Sequence, residues 1–156
     1  MTPAILLLEK AGAVFTVHSY THDPAATSFG LEAAEKLGVE PCRVFKTLIA
    51  STERAELIVA IIPVAGTLNL KALAKACGAK KVEMADPQKA QRSSGYLLGG
   101  ISPLGQKKAL RTFLDQSAFN HSSIHVSAGR RGLEVELSAQ TLLNHTQGQA
   151  ADLTQY

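Results

Sequence analysis

The stretch Gly99-Gly100-Ile101-Ser102-Pro103-Leu104-Gly105 carries three glycines and a Ser-Pro pair, so it is neither regular helix nor regular strand. With no side chains at Gly99 and Gly100, backbone N–H groups can approach a carbonyl oxygen or a phosphate directly, as oxyanion holes and anion-binding nests require. The same composition also suits a tightly packed turn. We call residues 99–105 the glycine loop and expect it to be either part of a binding site or such a turn.

A lysine far upstream is the second unusual residue. The runs Val44 to Ser51 and Glu56 to Ile62 are rich in β-branched residues, and the short segment between them predicts a β-hairpin. Because side chains alternate along a strand, Lys46 shares one face of the first run with Val44, Leu48 and Ala50. Lys46 is therefore either a binding residue or a structural lysine whose stem lies along the sheet.

Length and composition predict one domain over residues 1–156. The chain is 46% hydrophobic, which is enough for a proper core at this size. No stretch resembles a signal peptide or approaches the roughly 20 apolar residues of a membrane span. Cys42 and Cys77 lack metal-type spacing, and a reducing compartment would keep them as thiols. We expect a cytoplasmic protein with no membrane partner.

The charge is weakly basic and clustered. The formal net charge is +3, with basic pairs at Lys80-Lys81, Lys107-Lys108 and Arg130-Arg131. Such pairs suit modest attraction to a polyanion, or a solvated basic face that binds nothing.

Helices and strands are both predicted, and they do not alternate strictly. Capping and stop signals place helices at residues 3–11, 31–37, 70–77, 87–94 and 139–145. Strand patterns lie at residues 14–20, 44–51, 56–62, 109–114, 123–127 and 133–137. Residues 146–156 are expected to be a frayed tail. The fold class is therefore α+β rather than a doubly wound parallel sheet.

Several familiar chemistries are not indicated. The glycine loop has neither the Walker ending nor the dinucleotide-binding spacing, so we expect no nucleotide cofactor. His18 and His22 are four residues apart, as are His121 and His125, but this spacing does not bring rings together at strand ends and loops. We expect no metal. No nucleophile elbow is present, so an ordinary protein nucleophile is not predicted either.

Five blocks of sequence follow one another along nearly the whole chain, at Leu31–Gly38, Val44–Leu48, Lys81–Asp86, Ser94–Lys108 and Val126–Glu136. In order and spacing they resemble the YbaK (EbsC) family, free-standing relatives of the editing insertion domain of bacterial prolyl-tRNA synthetase. The resemblance implies a mixed, partly curled, barrel-like β-sheet surrounded by helices. It also implies a deacylase for cysteine mischarged on tRNA(Pro), with Cys-tRNA(Cys) as a second candidate substrate.

The resemblance also implies the site residues. The essential lysine of the family matches Lys46, and Ala128-Gly129 stands where many relatives have Gly-Gly. The pocket positions of the family match Tyr20, Phe29, Thr47, Gly99, Gly100, Ile101, Ser102 and Ser127. In the implied mechanism the thiol of the substrate cysteine attacks its own ester carbonyl. Lys46 would hold a terminal phosphate or the carbonyl, and backbone amides near Gly100 would face the oxyanion.

Two other functions fit the same residues. A deacylase for Ala-tRNA(Pro) that activates water would share the fold, and a module that binds an RNA end without chemistry would keep the basic pairs and the glycine loop. The basic pairs suggest that phosphates supply most of the affinity for tRNA. A partner such as prolyl-tRNA synthetase could then supply specificity.

Overall fold

The computed structural model describes all residues, Met1–Tyr156. The helices are α1 Pro3–Lys10, α2 Phe29–Leu37, α3 Leu70–Cys77, α4 Pro87–Ser94 and α5 Ala139–Thr146, with 3-10 turns at Pro41–Arg43 and Gln116–Asn120. The strands are β1 Thr16–Ser19, β2 Phe45–Thr52, β3 Leu57–Pro63, β4 Thr67–Leu68, β5 Val82–Met84, β6 Thr112–Asp115, β7 Ile124–Arg130, β8 Leu133–Leu137, β9 Gln149–Ala151 and β10 Thr154–Gln155. No helix is long and apolar enough to cross a membrane.

The strands form two larger sheets and one small pair. The mixed sheet has the order β5-β2-β3-β6-β9, in which β6 runs parallel to both β3 and β9. The second sheet, β1-β8-β7, is antiparallel, and β10 pairs with β4. These sheets and five helices confirm the single-domain α+β prediction.

The barrel-like closure that the resemblance implied is not present. Each sheet is open, with β5 and β9 at the edges of one and β1 and β7 at the edges of the other. Only an isolated parallel bridge between Val44 and His125 connects the start of β2 to β7. Because one bridge cannot continue a hydrogen-bonded ladder, the two sheets meet at this point without curling into one.

The predicted hairpin is confirmed, and its first strand separates two cores. β2 and β3 pair antiparallel from Phe45–Pro63 to Ser51–Leu57. Phe45 and Ile49 pack into a core with α1 and the second sheet, whereas Leu48 and Ala50 pack on the opposite face against α3. This alternation is the two-residue period of a strand buried on both faces. It assigns Lys46 to the face of Leu48 and Ala50.

The prediction of a frayed tail after residue 146 is wrong. β9 extends the mixed sheet beside β6, and β10 pairs with β4. Leu153 between them is fully buried, and its amide donates a 2.8 Å hydrogen bond to Asp115 Oδ1. One buried leucine and two strand pairings therefore order a segment whose sequence is polar and short.

Candidate active site

A cavity of about 270 Å³ opens where the two sheets meet, between α2, the start of β2, the glycine loop and the strands β7 and β8. We call it the Lys46 cavity. Its lining includes seven of the nine residues predicted for the site, namely Tyr20, Phe29, Lys46, Thr47, Gly99, Ile101 and Ser127. Residues that are distant in sequence thus converge on one concave surface, as ligand sites require.

Two cations line the cavity, Lys46 and Arg131, and of these Lys46 has no protein partner. Its ammonium group forms neither a salt bridge nor a hydrogen bond within the chain, and the side chain is half-buried between apolar neighbours. Burial lowers the pKa of Lys46 because the charged form loses hydration. A partly desolvated cation without a partner is available to an anion or a carbonyl oxygen of a ligand.

The neighbouring residue adds a second unpaired polar group. Thr47 lines the cavity, and its Oγ1 is buried without a hydrogen-bond partner. Because buried hydroxyls are nearly always paired in folded proteins, this one is suited to donate to or accept from a bound molecule.

The glycine loop packs too closely on its neighbours for side chains. A Cβ at Gly99 would lie 2.4 Å from Arg131 Nε, and one at Gly100 would lie 2.8 Å from the Cα of Arg130. Gly99 also has a φ of +83°, which ordinary residues adopt only with strain. The turn at Arg130-Arg131 therefore packs directly against the glycine loop. The loop is a tightly packed turn and also forms one wall of the cavity.

Two of the predicted residues do not line the Lys46 cavity. The amide of Gly100 donates to the carbonyl of Leu97 at 3.0 Å, so it is not free to bind an oxyanion in this conformation. Ser102 is fully buried within the glycine loop, and its hydroxyl accepts a hydrogen bond from the amide of Leu104 at 3.2 Å. The amides of Gly99 and Ile101, which do line the cavity, donate no hydrogen bond within the chain.

Ser127 anchors the glycine loop. Its hydroxyl donates to the carbonyl of Gly100 at 3.1 Å and accepts from the amide of Gly129 at 3.2 Å. Both hydrogen bonds lie within the loop and the β7 bulge, so the hydroxyl proton of Ser127 is already donated to the Gly100 carbonyl. Ser127 is placed to position the loop rather than to attack a substrate.

Glu134 is a cavity residue that the sequence pattern did not identify. It lies on β8 between Leu133 and Val135, where alternation alone predicts a solvent-exposed face. It is nevertheless only 7% exposed, it has no salt-bridge partner, and burial raises its pKa to about 8. The carboxyl group also contributes, after burial, to the raised pKa of Tyr20.

Arg131 closes one wall of the cavity. Its guanidinium stacks on the ring of Phe29 at 4.1 Å and donates to the carbonyl of Leu98 at 2.8 Å. The sequence singled out Arg131 only as half of a basic pair. In the structure Arg131 connects α2 to the residue just before the glycine loop, through a cation–π contact with Phe29 and a charged hydrogen bond to Leu98.

No cysteine or histidine is among the residues that line the cavity. The arrangement therefore offers a cation, unpaired amides, a free hydroxyl and a buried carboxyl, but no Cys-His or Ser-His pair. Such groups can bind and polarise an ester without forming a covalent intermediate on the protein.

Comparison with known proteins gives consistent results. Over 121 residues the chain is 46% identical to an Enterococcus faecalis protein, EbsC, provisionally named a Cys-tRNA(Pro)/Cys-tRNA(Cys) deacylase, and the match covers 78% of this chain and 74% of that protein. It is 35% identical over 72 residues to a proline–tRNA ligase of Brachyspira hyodysenteriae, covering 46% of this chain but 12% of the ligase.

A solved structure and a family match extend the comparison to nearly the whole chain. A crystal structure provisionally described as a trans-editing enzyme for prolyl tRNA synthetase superimposes with a TM-score of 0.85 at 23% identity, over 99% of this chain and 96% of that one. Residues 22–144 match the aminoacyl-tRNA editing domain, a span that contains the glycine loop, Lys46 and Glu134. The chain therefore belongs to the aminoacyl-tRNA editing domain family and is a relative of the YbaK (EbsC) proteins.

Proposed function

We propose that this protein acts in the cytoplasm as a trans-editing deacylase that removes cysteine from Cys-tRNA(Pro), with Cys-tRNA(Cys) as a second substrate. The observation that carries the proposal is the Lys46 cavity, in which the lysine has no protein partner and no protein nucleophile is paired with a base. Aminoacyl-tRNA editing is the function of the family, and the choice of cysteine is our inference from the cavity and its relatives.

The size and lining of the cavity favour a small amino acid. Its volume of about 270 Å³ lies below the roughly 300–1,000 Å³ of sites for drug-sized ligands. Phe29, Leu48 and Ile101 supply apolar lining, and a thiol behaves as a small hydrophobic group. The aminoacyl group would enter the cavity, and the terminal ribose would stay at its mouth.

The thiol of the substrate would supply the nucleophile that the cavity lacks. In the proposed step its sulfur bonds to the ester carbonyl carbon, the bond from that carbon to the ribose oxygen breaks, and the ribose oxygen takes up a proton. Water then hydrolyses the internal thioester. Lys46 would bind the terminal phosphate or the carbonyl oxygen, and the amides of Gly99 and Ile101 would take the oxyanion role first expected near Gly100.

Single-turnover deacylation of tRNA(Pro) charged with cysteine, alanine or serine tests the proposal. We expect the cysteine ester to react fastest and the serine ester far more slowly, because a hydroxyl remains almost fully protonated at neutral pH. Equal rates on serine and cysteine would contradict the thiol step. Fastest cleavage of the alanine ester would instead indicate an Ala-tRNA(Pro) deacylase that activates water, and binding without any cleavage would indicate a module for RNA ends.

The pH dependence of the same reaction distinguishes ionisation of the substrate thiol from ionisation of a protein group. The rate on the cysteine ester should rise as the thiol ionises, near its reference pKa of about 8.5. Glu134 titrates in the same region, with a pKa of about 8, so the profile has to be repeated in Glu134→Gln. A rise that persists in this variant belongs to the substrate, and a profile that becomes flat would assign the titration to Glu134.

Recognition of the tRNA body would come from a partner such as prolyl-tRNA synthetase. The similarity to part of a proline–tRNA ligase supports a shared substrate, while the basic pairs of this chain suit phosphates rather than bases. We expect added synthetase to raise the rate on Cys-tRNA(Pro) more than on Cys-tRNA(Cys). Equal effects on both tRNAs would contradict this role.

A further inference from the structure

A group of polar residues lies outside the Lys46 cavity, on the antiparallel sheet. His18 is on the edge strand β1, Glu136 is on the central strand β8, and His125 is on β7. One nitrogen of each histidine and a carboxylate oxygen of Glu136 all lie within 4.8 Å of one another. We call these three residues the histidine cluster. The histidine cluster combines one histidine from each of the two pairs spaced four apart in the sequence, because β1 and β7 both pair with β8 and bring His18 close to His125.

The carboxylate of Glu136 is divided between two sets of partners. Its Oε2 accepts a hydrogen bond from the Ser123 hydroxyl and lies 3.5 Å from the guanidinium of Arg43. Its Oε1 faces both histidines, at 2.8 Å from Nε2 of His18 and 4.0 Å from Nε2 of His125. Ser123 and Arg43 thus fix the orientation of the carboxylate and leave one oxygen toward the imidazoles, as outer partners of metal ligands do.

His125 is the most deeply buried member of the cluster. It is only 3% exposed, and its Nδ1, the ring nitrogen that does not face Glu136, is buried without any hydrogen bond. The 4.0 Å separation of its Nε2 from Glu136 is also too long for a hydrogen bond. Burial lowers the pKa of His125, which favours the neutral imidazole that binds metals. Because Nε2 makes no hydrogen bond, the neutral imidazole is free to bind an ion through the nitrogen that faces Glu136.

We propose that His18, His125 and Glu136 form a binding site for Zn²⁺, with a water molecule as the fourth ligand. Two histidines and one carboxylate with an open position are a common zinc ligand set. Tetrahedral zinc with bonds of roughly 2.0–2.2 Å places its ligand atoms about 3.4 Å apart, between the 2.8 Å and 4.0 Å that Glu136 Oε1 makes to the two histidines. Binding therefore requires His125 and Glu136 to approach each other, and the partly exposed His18 side chain to move slightly away from Glu136 Oε1.

The site would tie the three strands of the antiparallel sheet together. His125 is two residues before Ser127 on β7, so its backbone lies about one strand repeat, roughly 7 Å, from that of the residue that anchors the glycine loop. The charge of Arg43 beside Glu136 opposes the ion and limits its affinity. The proposal is independent of which amino acid the cavity accepts.

Zinc binding by the untagged chain tests the proposal. After treatment with a chelator, the protein is titrated with Zn²⁺ in competition with a chromophoric chelator, and its melting temperature is measured with and without the ion. We expect one Zn²⁺ per chain and a higher melting temperature with zinc, because the ion binds the folded state. His18→Ala and Glu136→Gln should each weaken binding by at least about tenfold. His145→Ala and Cys42→Ser, which lie outside the cluster, should bind as the wild type does.

Co²⁺ provides a second measurement that surface binding would not reproduce. Four-coordinate Co²⁺ absorbs strongly in the visible range, whereas the six-coordinate ion absorbs weakly. We expect strong absorption in the wild type and its loss in both cluster variants, each checked for folding by circular dichroism. His125→Ala removes a buried side chain, so His18→Ala and Glu136→Gln carry the test. Unchanged binding in these two variants, or a six-coordinate spectrum in the wild type, would overturn the proposal.

Discussion

Glu32 and Glu134 have the same solvent exposure, 7%, yet the protein shifts their pKa values in opposite directions. Burial alone raises the pKa of a carboxyl group, and at Glu134 nothing opposes it, so the pKa rises to about 8. At Glu32 burial is outweighed by hydrogen bonds from the amide of Asp23, from His22 and from Lys36, which lower the pKa to about 2. The pKa values of the two carboxyls therefore differ because Glu134 lies deeper in the protein without a donor, whereas three donors surround Glu32.

Whether a buried polar group has a partner distinguishes residues that support the fold from residues that line the Lys46 cavity. Glu32 joins the segment before α2 to the helix itself, since it accepts from both His22 and Lys36. Glu134, Lys46 and Thr47 line the cavity with no partner in the chain. Polar groups that serve only the fold are expected to be paired, and those left unpaired are costly unless a ligand satisfies them. The unpaired set therefore marks the surface that the substrate would complete.

The largest effect is expected from removing the unpaired cation. Lys46→Ala should lower single-turnover deacylation by about 10²-fold or more, because a positioned charge next to the reacting ester is lost. The free energy of unfolding should change little, since the ammonium group has no partner in the chain. Rapid-quench deacylation assays and urea denaturation measure the two quantities.

Two further lysine variants serve as controls for this experiment. Lys46→Met keeps the apolar stem and should lose as much activity as the alanine variant. Lys71→Ala removes an exposed lysine on α3 and should have no effect on the rate. A wild-type rate in Lys46→Met would show that only the stem matters, and the lysine would then be structural.

The next largest effect is expected on stability, from removing the charge of the paired glutamate, Glu32. Glu32→Gln should destabilise the protein by about 2 kcal/mol at neutral pH, because the buried donors that surround the carboxylate lose their charged acceptor. The folded-state pKa lies below the usual 4.5, so the stabilisation by Glu32 is complete above pH 4.5 and is lost as the pH falls toward about 2. Urea denaturation across this range should show the two proteins converging. A constant difference at every pH would contradict the assignment.

An effect in the opposite pH range is expected for the unpaired glutamate, Glu134. The folded-state pKa of Glu134 is raised, so its stabilising contribution is complete below pH 4.5 and is lost as the pH rises through about 8. The free energy of unfolding of the wild type should therefore decrease over this range relative to Glu134→Gln, by an amount on the order of 1 kcal/mol or more. His125 titrates in both proteins and cancels in the difference. Parallel curves would show that Glu134 is ionised in the folded state.

The sequence predicted the elements that local signals define. The predicted caps Thr2, Asn69, Asp86 and Ser138 accept hydrogen bonds from their helices, and the β2–β3 hairpin forms as predicted. Ser28, predicted to cap α2, precedes the helix but its side chain makes no cap hydrogen bond. The sequence did not predict β9 and β10, because their order comes from pairing with distant strands rather than from their own composition. The separation of the strands into two open sheets is likewise a property of long-range pairing.

The candidate site shows the same limit. The resemblance to relatives identified Lys46 and six other residues of the cavity lining, and all of these except Tyr20 and Phe29 lie in the recognisable blocks. It included Ser102 although that side chain is buried within the glycine loop, because a motif does not say which of its residues face a ligand. Glu134 lies in one of the blocks but was not predicted, because its burial comes from tertiary packing that a strand pattern does not encode.

The smallest effect is expected from removing both cysteines of the protein, since neither belongs to the unpaired set. Cys77 is buried on α3, where its thiol donates to the carbonyl of Ala74, and Cys42 lies beside Glu40; neither lines the Lys46 cavity. If the attacking thiol belongs to the substrate, a Cys42→Ala, Cys77→Ala double variant should deacylate Cys-tRNA(Pro) at the wild-type rate. Because the loss of a buried thiol can loosen α3, the rate is measured well below the melting temperature of the variant. A large loss of rate in a folded double variant would instead indicate an acyl-enzyme on one of these cysteines, and partial trapping of labelled cysteine on the wild-type protein after acid quench would identify it.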